Sequence, residues 1–301
     1  MQKCMQIEDI FCTTSARTNL APLLLKMSML PHSFIGSCRY EHVFQNVYPG
    51  RLHSVREINY FLENLDNLKN YFNYHTLSNP IFKNFVNLTF GNVFNNYLKN
   101  KTFIFPYQLQ SFLESEFLFL EISNLKYASS MCGIIANSSF LKNKKKESET
   151  DYTSEEIFND NFFVLKKDDF SSVTKQIEKM IDLLKVKTPI RKIFLIPHVN
   201  LLSKKTNKKI ENRQKINLII DNLANNFGIM EKIDIWESEK IKNYYLEDIL
   251  DDNNLNFNKL GNKIVYDFFI SEFKKIEENK SLFCVTHDHK KKSNIEINSI
   301  Q

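Results

Sequence analysis

Glycine is scarce in this chain, with six residues among 301, alongside seven prolines. Neither G-x-G-x-x-G nor G-x-x-x-x-G-K-[ST] occurs, and these are the loops that hold phosphates in the common nucleotide-binding folds. The sequence therefore argues against the usual glycine-rich nucleotide sites. A scarce glycine also stands out where it does occur, as in the stretch S33-F-I-G-S-C-R39.

Cysteine is present without a pairing pattern. The five cysteines are odd in number and irregularly spaced, and no C-x-x-C pair occurs. This usage predicts free thiols in a reducing compartment, rather than a disulfide framework or a structural zinc site. The segment C284-V-T-H-D-H289 has metal-ligand residue types, but it lies in a basic tail, so we predict no metal.

Long hydrophobic runs are also missing. No stretch approaches the roughly 20 apolar residues of a membrane span, and the N-terminus carries acidic residues where a signal peptide needs positive charge. We therefore predict no membrane span and a cytoplasmic location. The net charge is +5, but the lysines collect in runs at 142–146 and 290–292 without interleaved aromatic residues, so no nucleic-acid partner is predicted.

The chain does contain an alternation of apolar runs and amphipathic stretches, in a composition that is 43% hydrophobic and typical of globular proteins. The pattern predicts strands at 33–37, 117–123, 191–200 and 232–236, and helices at 56–65, 174–184, 210–228 and 258–273. This order predicts an α/β fold, namely a doubly wound, mostly parallel sheet flanked by helices in three layers, as in flavodoxin.

The same patterns predict the domain organisation. One α/β domain spans 31–280, preceded by an N-terminal extension at 1–30. A charged loop interrupts the domain at 141–160, and a disordered basic tail follows at 281–301.

Ligands of such sheets bind outside the carboxyl ends of the strands. The polar residues that follow the predicted strands are therefore candidates for a site: Gly36–Arg39, Ser123 and Asn124, His198–Asn200, and the turn 251–261.

Cys38 and Ser37 are the candidate nucleophiles. A glycine before them permits a sharp turn from strand into helix, beside backbone N–H groups that stabilise an oxyanion and lower a thiol pKa. A thiolate is reactive unaided, whereas serine needs a general base. The same residues also fit a small buried cysteine at a strand end.

The stretch F34-I-G-S-C-R39 resembles the first block of the SGNH (GDSL-like) hydrolase superfamily, in the branch that reads G-S-C or G-N-C and includes GSCFA-type and capsular-polysaccharide acyltransferase-like proteins. This resemblance implies that Cys38 is the nucleophile, with Ser37 in the place of the usual Asp. G50-R-L-H-S-V-R-E-I58 is similar to the second block and L118-F-L-E-I-S-N124 to the third. They imply that the Gly50 N–H and the Asn124 side chain hold the oxyanion.

The chain departs from the family in the last block, N253-N-L-N-F-N-K-L-G261, whose Asp and His positions hold Asn253 and Asn256. A carboxamide cannot accept and return a proton at neutral pH. Either His198 or His53 takes over as base, or the thiolate acts with little help.

Three functions follow as alternatives. The first is an acyl-ester hydrolase without a cofactor, acting on a small-molecule or glycan ester. The second is an acyltransferase that modifies a sugar or polysaccharide, with acyl-CoA as a donor. The third is a binding module of the same fold that has lost its chemistry. Arg39, Asn200, Arg213 and Asn256 are the candidates for substrate binding, and Arg213 either binds an anionic group or faces solvent.

Overall fold

The computed structural model describes residues 31–40, 43–44, 52–66, 107–130, 133, 135–138, 163–239, 241–253 and 256–296. Within these ranges, the side chains of Cys38 and of residues 279–296 are among those outside the description. The predicted extension at 1–30 and the charged loop at 141–160 also lie outside the described residues.

The described residues form strands, helices and one short 3-10 helix, Cys38–Tyr40. The strands are β1 His32–Ile35, β2 Phe117–Leu120, β3 Lys126–Ser130, β4 Ile135–Asn137, β5 Phe163–Lys167, β6 Lys192–Leu195 and β7 Met230–Lys232. The helices are α1 Val55–Glu63, α2 Tyr107–Glu114, α3 Phe170–Lys187, α4 Glu211–Asn226, α5 Leu246–Ile249 and α6 Lys259–Glu296.

A parallel sheet organises the fold. Its strand order is β1-β2-β6-β7, and all three strand pairs are parallel. Ile35 pairs with Leu120, which pairs in turn with Leu195, so three strands end level with one another. The prediction of an α/β fold with a parallel sheet is confirmed.

Each face of this sheet packs against a different set of helices. Side chains alternate between the faces along a strand. Ile35, Leu118 and Leu120 therefore join a buried cluster with residues of α1, α2, α3 and α4. Phe34 and Phe119 join a second cluster with residues of α5 and α6. Because both faces are buried, the central strands β2 and β6 appear in the sequence as nearly continuous apolar runs.

A second, antiparallel sheet of order β4-β3-β5 was not predicted. Its strands are short and partly polar, for example Lys126–Ser130 with the sequence KYASS. Val164 and Leu165 on β5 are exposed. Such strands carry little of the alternation of apolar and polar residues that identifies a strand in a sequence.

Helix boundaries differ from the prediction where side-chain caps decide them. The predicted helix at 174–184 begins earlier, at Phe170, because the Asp169 side chain accepts a hydrogen bond of 2.7 Å from the Ser172 N–H. Val173, Ile177 and Leu184 of this helix are buried at the spacing of one helical face.

The last helix, α6, runs to Glu296 and so enters the segment predicted as a tail. No proline or glycine follows Gly261, so nothing in the backbone chemistry interrupts a helix there. Gly261 itself is required by close packing, since a Cβ at this position would lie 2.2 Å from the Ile249 carbonyl oxygen. Among the described residues, no helix is both long and apolar enough to cross a membrane.

Candidate functional site

The carboxyl ends of β1, β2 and β6 form one edge of the parallel sheet, which we call the rim. Three segments leave the sheet at this edge, because Ile35, Leu120 and Leu195 are partners in the strand register. These segments are Gly36–Arg39, Glu121–Asn124 and Ile196–Asn200. The rim therefore collects the polar segments that the sequence indicated after three strands.

Gly36 permits a close approach at the rim. A Cβ at this position would lie 2.7 Å from the Phe34 ring and 2.8 Å from the Cβ of Glu121. Real Cβ atoms do not come this near to another atom, so only glycine lets the chain after β1 lie against the end of β2. This close approach explains the placement of a scarce glycine.

Glu121 is the centre of the rim and is fully buried. Its Oε2 atom accepts hydrogen bonds from the Ser37 N–H at 3.0 Å and from the Ser37 hydroxyl at 2.5 Å. Both donors suit an ionised carboxylate, because charge-assisted bonds of this kind are short and strong. The Ser37 hydroxyl thus holds Glu121 in place.

Arg39 lies between Glu121 and His198. Its Nη1 atom is 3.5 Å from Glu121 Oε1 and 3.4 Å from His198 Nδ1. A guanidinium group only donates hydrogen bonds, so the Nδ1 atom must be the acceptor. The proton of the neutral imidazole is therefore assigned to Nε2.

His198 is buried, with 6% of its surface exposed. Burial is the main cause that lowers the pKa of His198 well below its usual value, and the positive charges of Arg39 and Arg213 lower the pKa further. The imidazole is consequently neutral at physiological pH. In this state the Nε2–H group is able to donate a hydrogen bond, and the ring cannot act as a cation.

The backbone of His198 is fixed by α4. The His198 N–H donates to Asn217 Oδ1 at 2.8 Å, and Asn217 Nδ2 donates to the His198 carbonyl at 2.9 Å. The indole N–H of Trp236 donates to the Pro197 carbonyl at 2.8 Å. These side chains replace the strand partners that the backbone loses beyond β6.

Two predicted substrate-binding residues lie near the start of α4. Asn200 Oδ1 accepts a bond of 2.8 Å from the Ile210 N–H, which closes the loop before the helix. Arg213 Nη1 donates to the Val199 carbonyl at 3.1 Å. Burial, followed by the charge of Arg39, lowers the pKa of Arg213 to about 10. Arg213 is therefore partly buried at the rim and does not simply face solvent.

His53, just before α1, is tied to the end of β2. Its carbonyl accepts bonds from the Ser123 N–H at 3.0 Å and the Asn124 N–H at 2.9 Å. Its ring atom Nδ1 lies 3.0 Å from Ser123 Oγ. The charge of His53 also contributes to the lowered pKa of His198. Both histidines therefore belong to the rim.

Glu57 holds the backbone of His53 in position through a hydrogen bond. Its carboxyl accepts bonds from the His53 N–H at 3.1 Å and from the Ser54 hydroxyl at 2.9 Å. Ser54 in turn caps α1 by accepting from the Glu57 N–H. Burial raises the pKa of Glu57 to about 7, although these hydrogen bonds act to lower the pKa. The carboxyl thus helps to position the His53 backbone.

The remaining predicted residues are placed less centrally. Asn124 Nδ2 donates to Ser138 Oγ at 2.8 Å, and its Oδ1 accepts from the Lys126 N–H at 3.0 Å, so the Asn124 side chain is held by the second sheet. Asn256 is exposed and bonds to Asp251 at 3.3 Å. Gly50 lies outside the described residues, and of Cys38 only the backbone, at the start of the 3-10 helix, is described.

Glu121, Glu57 and Asn217 were missed by the sequence reasoning. A signal existed for Glu121, because a carboxylate directly after four apolar strand residues must find a buried partner. A signal also existed for Glu57, because Ser54 and Glu57 have the S-x-x-E spacing of a capping box. Asn217 had no signal, since nothing local marks which helical amide will face a strand end.

Among the residues that the structure describes, no group of three or more His, Cys, Asp or Glu side chains is placed to hold a metal ion. The segment 284–289 falls where side chains are outside the description.

Comparison with known proteins gives no relative from which a role could be transferred to these residues. No protein-family model, no curated protein and no solved structure matches the chain.

Proposed function

We propose that the protein is a thiol-dependent acyl-ester hydrolase of the SGNH type, with Cys38 as its nucleophile. In this proposal the two covered faces of the parallel sheet belong to a doubly wound, flavodoxin-like sandwich of three layers, and the rim is the active site. A reactive thiol of this kind suits the reducing compartment that the cysteine usage predicts and the predicted cytoplasmic location.

The position of His53 carries the proposal. Its ring is held at the rim by the contact of 3.0 Å between Nδ1 and Ser123 Oγ, and its backbone is bonded to the segment that follows β2 and to Glu57. With the proton on Nδ1, the ring donates to Ser123 and its Nε2 atom accepts a proton. A base oriented by a third group is the usual way in which an enzyme activates a nucleophile.

His198 takes a different role in this scheme. Arg39 faces its Nδ1 atom at 3.4 Å, so Nε2 carries the proton and donates. A neutral imidazole in a buried site is suited to stabilise an oxyanion rather than to accept a proton. His198 would thereby replace the Asn124 side chain, whose amide is bonded to Ser138.

The reaction would proceed in two steps. The Cys38 Sγ atom attacks the ester carbonyl while His53 takes the thiol proton, and the alcohol leaves with that proton as the thioester forms. Water then attacks the thioester, with His53 accepting its proton and returning one to the sulfur. A carboxylic acid and the free thiol result, so no cofactor is consumed.

A catalytically inactive binding module is the second candidate, and Asn256 favours it. This residue occupies the position at which the family has its histidine, and it bonds to Asp251. In this alternative the hydrogen bonds at the rim have only a structural role. They join Ser37, Arg39, Glu121 and His198. The acyltransferase alternative uses the same nucleophile and differs in the acceptor, which is a sugar hydroxyl instead of water.

The pH dependence of alkylation at Cys38 separates the two candidates. We expect the Cys38 thiol to react with iodoacetamide with an apparent pKa at least about one unit below the free-thiol value of about 8.5, because the charge of Arg39 favours the thiolate and His53 accepts the thiol proton. The rate is followed by mass spectrometry of the Cys38 peptide, with the Cys284 peptide as internal reference. His53→Asn is expected to move the apparent pKa upward.

A slow reaction at Cys38 with an ordinary thiol pKa would favour the binding module. Acceleration of ester turnover by a sugar acceptor, or thermal protection by acyl-CoA, would favour the acyltransferase.

A further inference from the structure

We propose that a lysine-rich turn beside the rim binds the protein to a membrane surface that carries anionic lipids. The turn comprises residues 203–209, with the sequence S-K-K-T-N-K-K, and we call it the lysine turn. It lies in the loop between β6 and α4, whose two ends are joined by the hydrogen bond between Asn200 and Ile210. The proposal concerns this surface alone and does not rest on the proposed hydrolase.

The lysine turn has a fixed shape. The Asn207 N–H donates to the Ser203 carbonyl at 2.8 Å, and the Ser203 N–H donates to the Lys208 carbonyl at 3.1 Å. Asn207 has a φ of 50°, in the left-handed region that asparagine adopts more readily than most residues. These bonds close the turn on itself. Because residues 204–209 are all exposed, the turn presents its lysines to solvent as one compact group.

Helix α5 anchors the lysine turn from outside the loop. The Glu247 carboxylate accepts hydrogen bonds from the Ser203 hydroxyl at 2.6 Å and from the Lys204 N–H at 2.9 Å. The bond from Ser203 is the main cause that lowers the pKa of Glu247 to about 2, so this carboxylate is ionised at physiological pH. The Leu246 N–H donates to the Leu202 carbonyl at 2.9 Å, which fixes the residue before the turn as well.

Three of the four lysines in the turn are available to an external anion. Lys204 forms an ion pair with Asp248. The other three are exposed and form no ion pair with any residue that the structure describes; they are Lys205, Lys208 and Lys209. The nearby Glu247 carboxylate offsets one of these charges, so the turn as a whole is positive.

Two exposed apolar side chains accompany the charges. Leu202 is 42% exposed and Tyr245 is 40% exposed. The two are neighbours, because the Leu202 carbonyl is bonded to the residue that follows Tyr245. Lys204 Nζ lies 5.7 Å from the centre of the Tyr245 ring. Such a patch suits the surface of an anionic bilayer, since lysines attract the headgroups while leucine and tyrosine enter the boundary with the acyl chains.

An anionic bilayer fits this patch better than a nucleic acid does. Proteins that bind single strands usually stack the bases on several aromatic rings along a groove. The patch offers the Tyr245 ring, and Lys204 lies over that ring. Residues 201–210 contain no arginine, and an exposed leucine has no role in binding phosphates. The cytoplasmic leaflet is the anionic one, which agrees with the predicted cytoplasmic location.

Binding is tested by sedimentation of the whole chain with vesicles. Vesicles of phosphatidylcholine and phosphatidylserine in equal parts are expected to bind the protein, and binding should weaken as salt is added. Vesicles of phosphatidylcholine alone are expected not to bind. The turn variant combines Lys205→Gln, Lys208→Gln and Lys209→Gln. We expect it to lower the partition constant by about 100-fold, since each lysine near an anionic surface contributes about fivefold.

A control variant changes the net charge equally at other places on the surface. It replaces by glutamine three exposed lysines of β5 and α3, namely Lys166, Lys175 and Lys185, and is expected to bind nearly as tightly as the unchanged protein. Leu202→Ser tests the apolar part of the patch and is expected to weaken binding by about fivefold. Because all these side chains are exposed, the melting temperature should stay the same, which excludes unfolding as the cause.

Three outcomes would overturn the proposal. The first is the absence of binding to the mixed vesicles. The second is equal binding by the turn variant and the control variant, because net charge or another basic segment, such as the lysines at 290–292, would then explain the binding. The third is binding of a single-stranded oligonucleotide that depends on the turn lysines, without vesicle binding, which would assign the turn to a nucleic acid.

Discussion

Replacement of Glu121 by alanine is expected to lower the free energy of unfolding by about 3–5 kcal/mol, because it breaks a buried ion pair from one side. Arg39 would remain buried beside His198 without the carboxylate that it faces at 3.5 Å. The N–H and hydroxyl of Ser37 would also lose their common acceptor. The loss is measured by urea denaturation at neutral pH.

Glu116→Ala is the matched control for this change. Glu116 precedes the same strand, but its ion pair with Arg191 is largely exposed, and exposed pairs contribute about 0–1 kcal/mol. Glu121→Gln keeps an acceptor for Ser37 and removes only the charge. We therefore expect it to lower the free energy of unfolding by less than Glu121→Ala and by more than Glu116→Ala. If Glu121→Ala were as stable as Glu116→Ala in urea, the rim would not depend on the Glu121 carboxylate.

The second large effect concerns activity. Cys38→Ala is expected to reduce hydrolysis of p-nitrophenyl esters by at least about 10³-fold, because removal of a nucleophile removes the covalent pathway. Ser37→Ala is expected to retain turnover within about tenfold, since the Ser37 hydroxyl is bonded to Glu121 and is not the attacking group. Steady-state kinetics on purified protein measures both effects.

Cys284→Ala provides the chemical control, since it removes a thiol far along the chain from the rim. Activity that survives in Cys38→Ala but is lost in Ser37→Ala would assign the attack to serine, with Glu121 as its proton acceptor. Activity that survives in both variants would place the reaction elsewhere in the molecule.

Much of the sheet was predictable from local pattern. The strands β1, β2 and β6 end in two, four and three consecutive apolar residues, and polar residues follow each strand within three positions. This pattern arises because both faces of the parallel sheet are buried. Because these strands are parallel, their carboxyl ends lie at the same edge of the sheet. This placement can be predicted without knowing any side-chain contact.

The partners of the rim residues were not predictable in the same way. Glu121 and Ser37 are 84 positions apart in the sequence, and His53 and Ser123 are 70 apart. No local period links residues so distant, and a single sequence contains no record of which pairs touch. For the same reason, the sequence did not distinguish His53 from His198 as the base, whereas the contact of Arg39 with His198 Nδ1 separates their proposed roles.

The acyl-enzyme intermediate offers the most direct measurement. After brief mixing with p-nitrophenyl acetate and an acid quench, proteolysis and mass spectrometry should find one acetyl group on the peptide that contains Cys38. A second sample, incubated at neutral pH before the quench, should have lost this acetyl group. An acetyl group at Ser37 or at any other residue, or turnover without any labelled peptide, would contradict the assignment of Cys38 as the nucleophile.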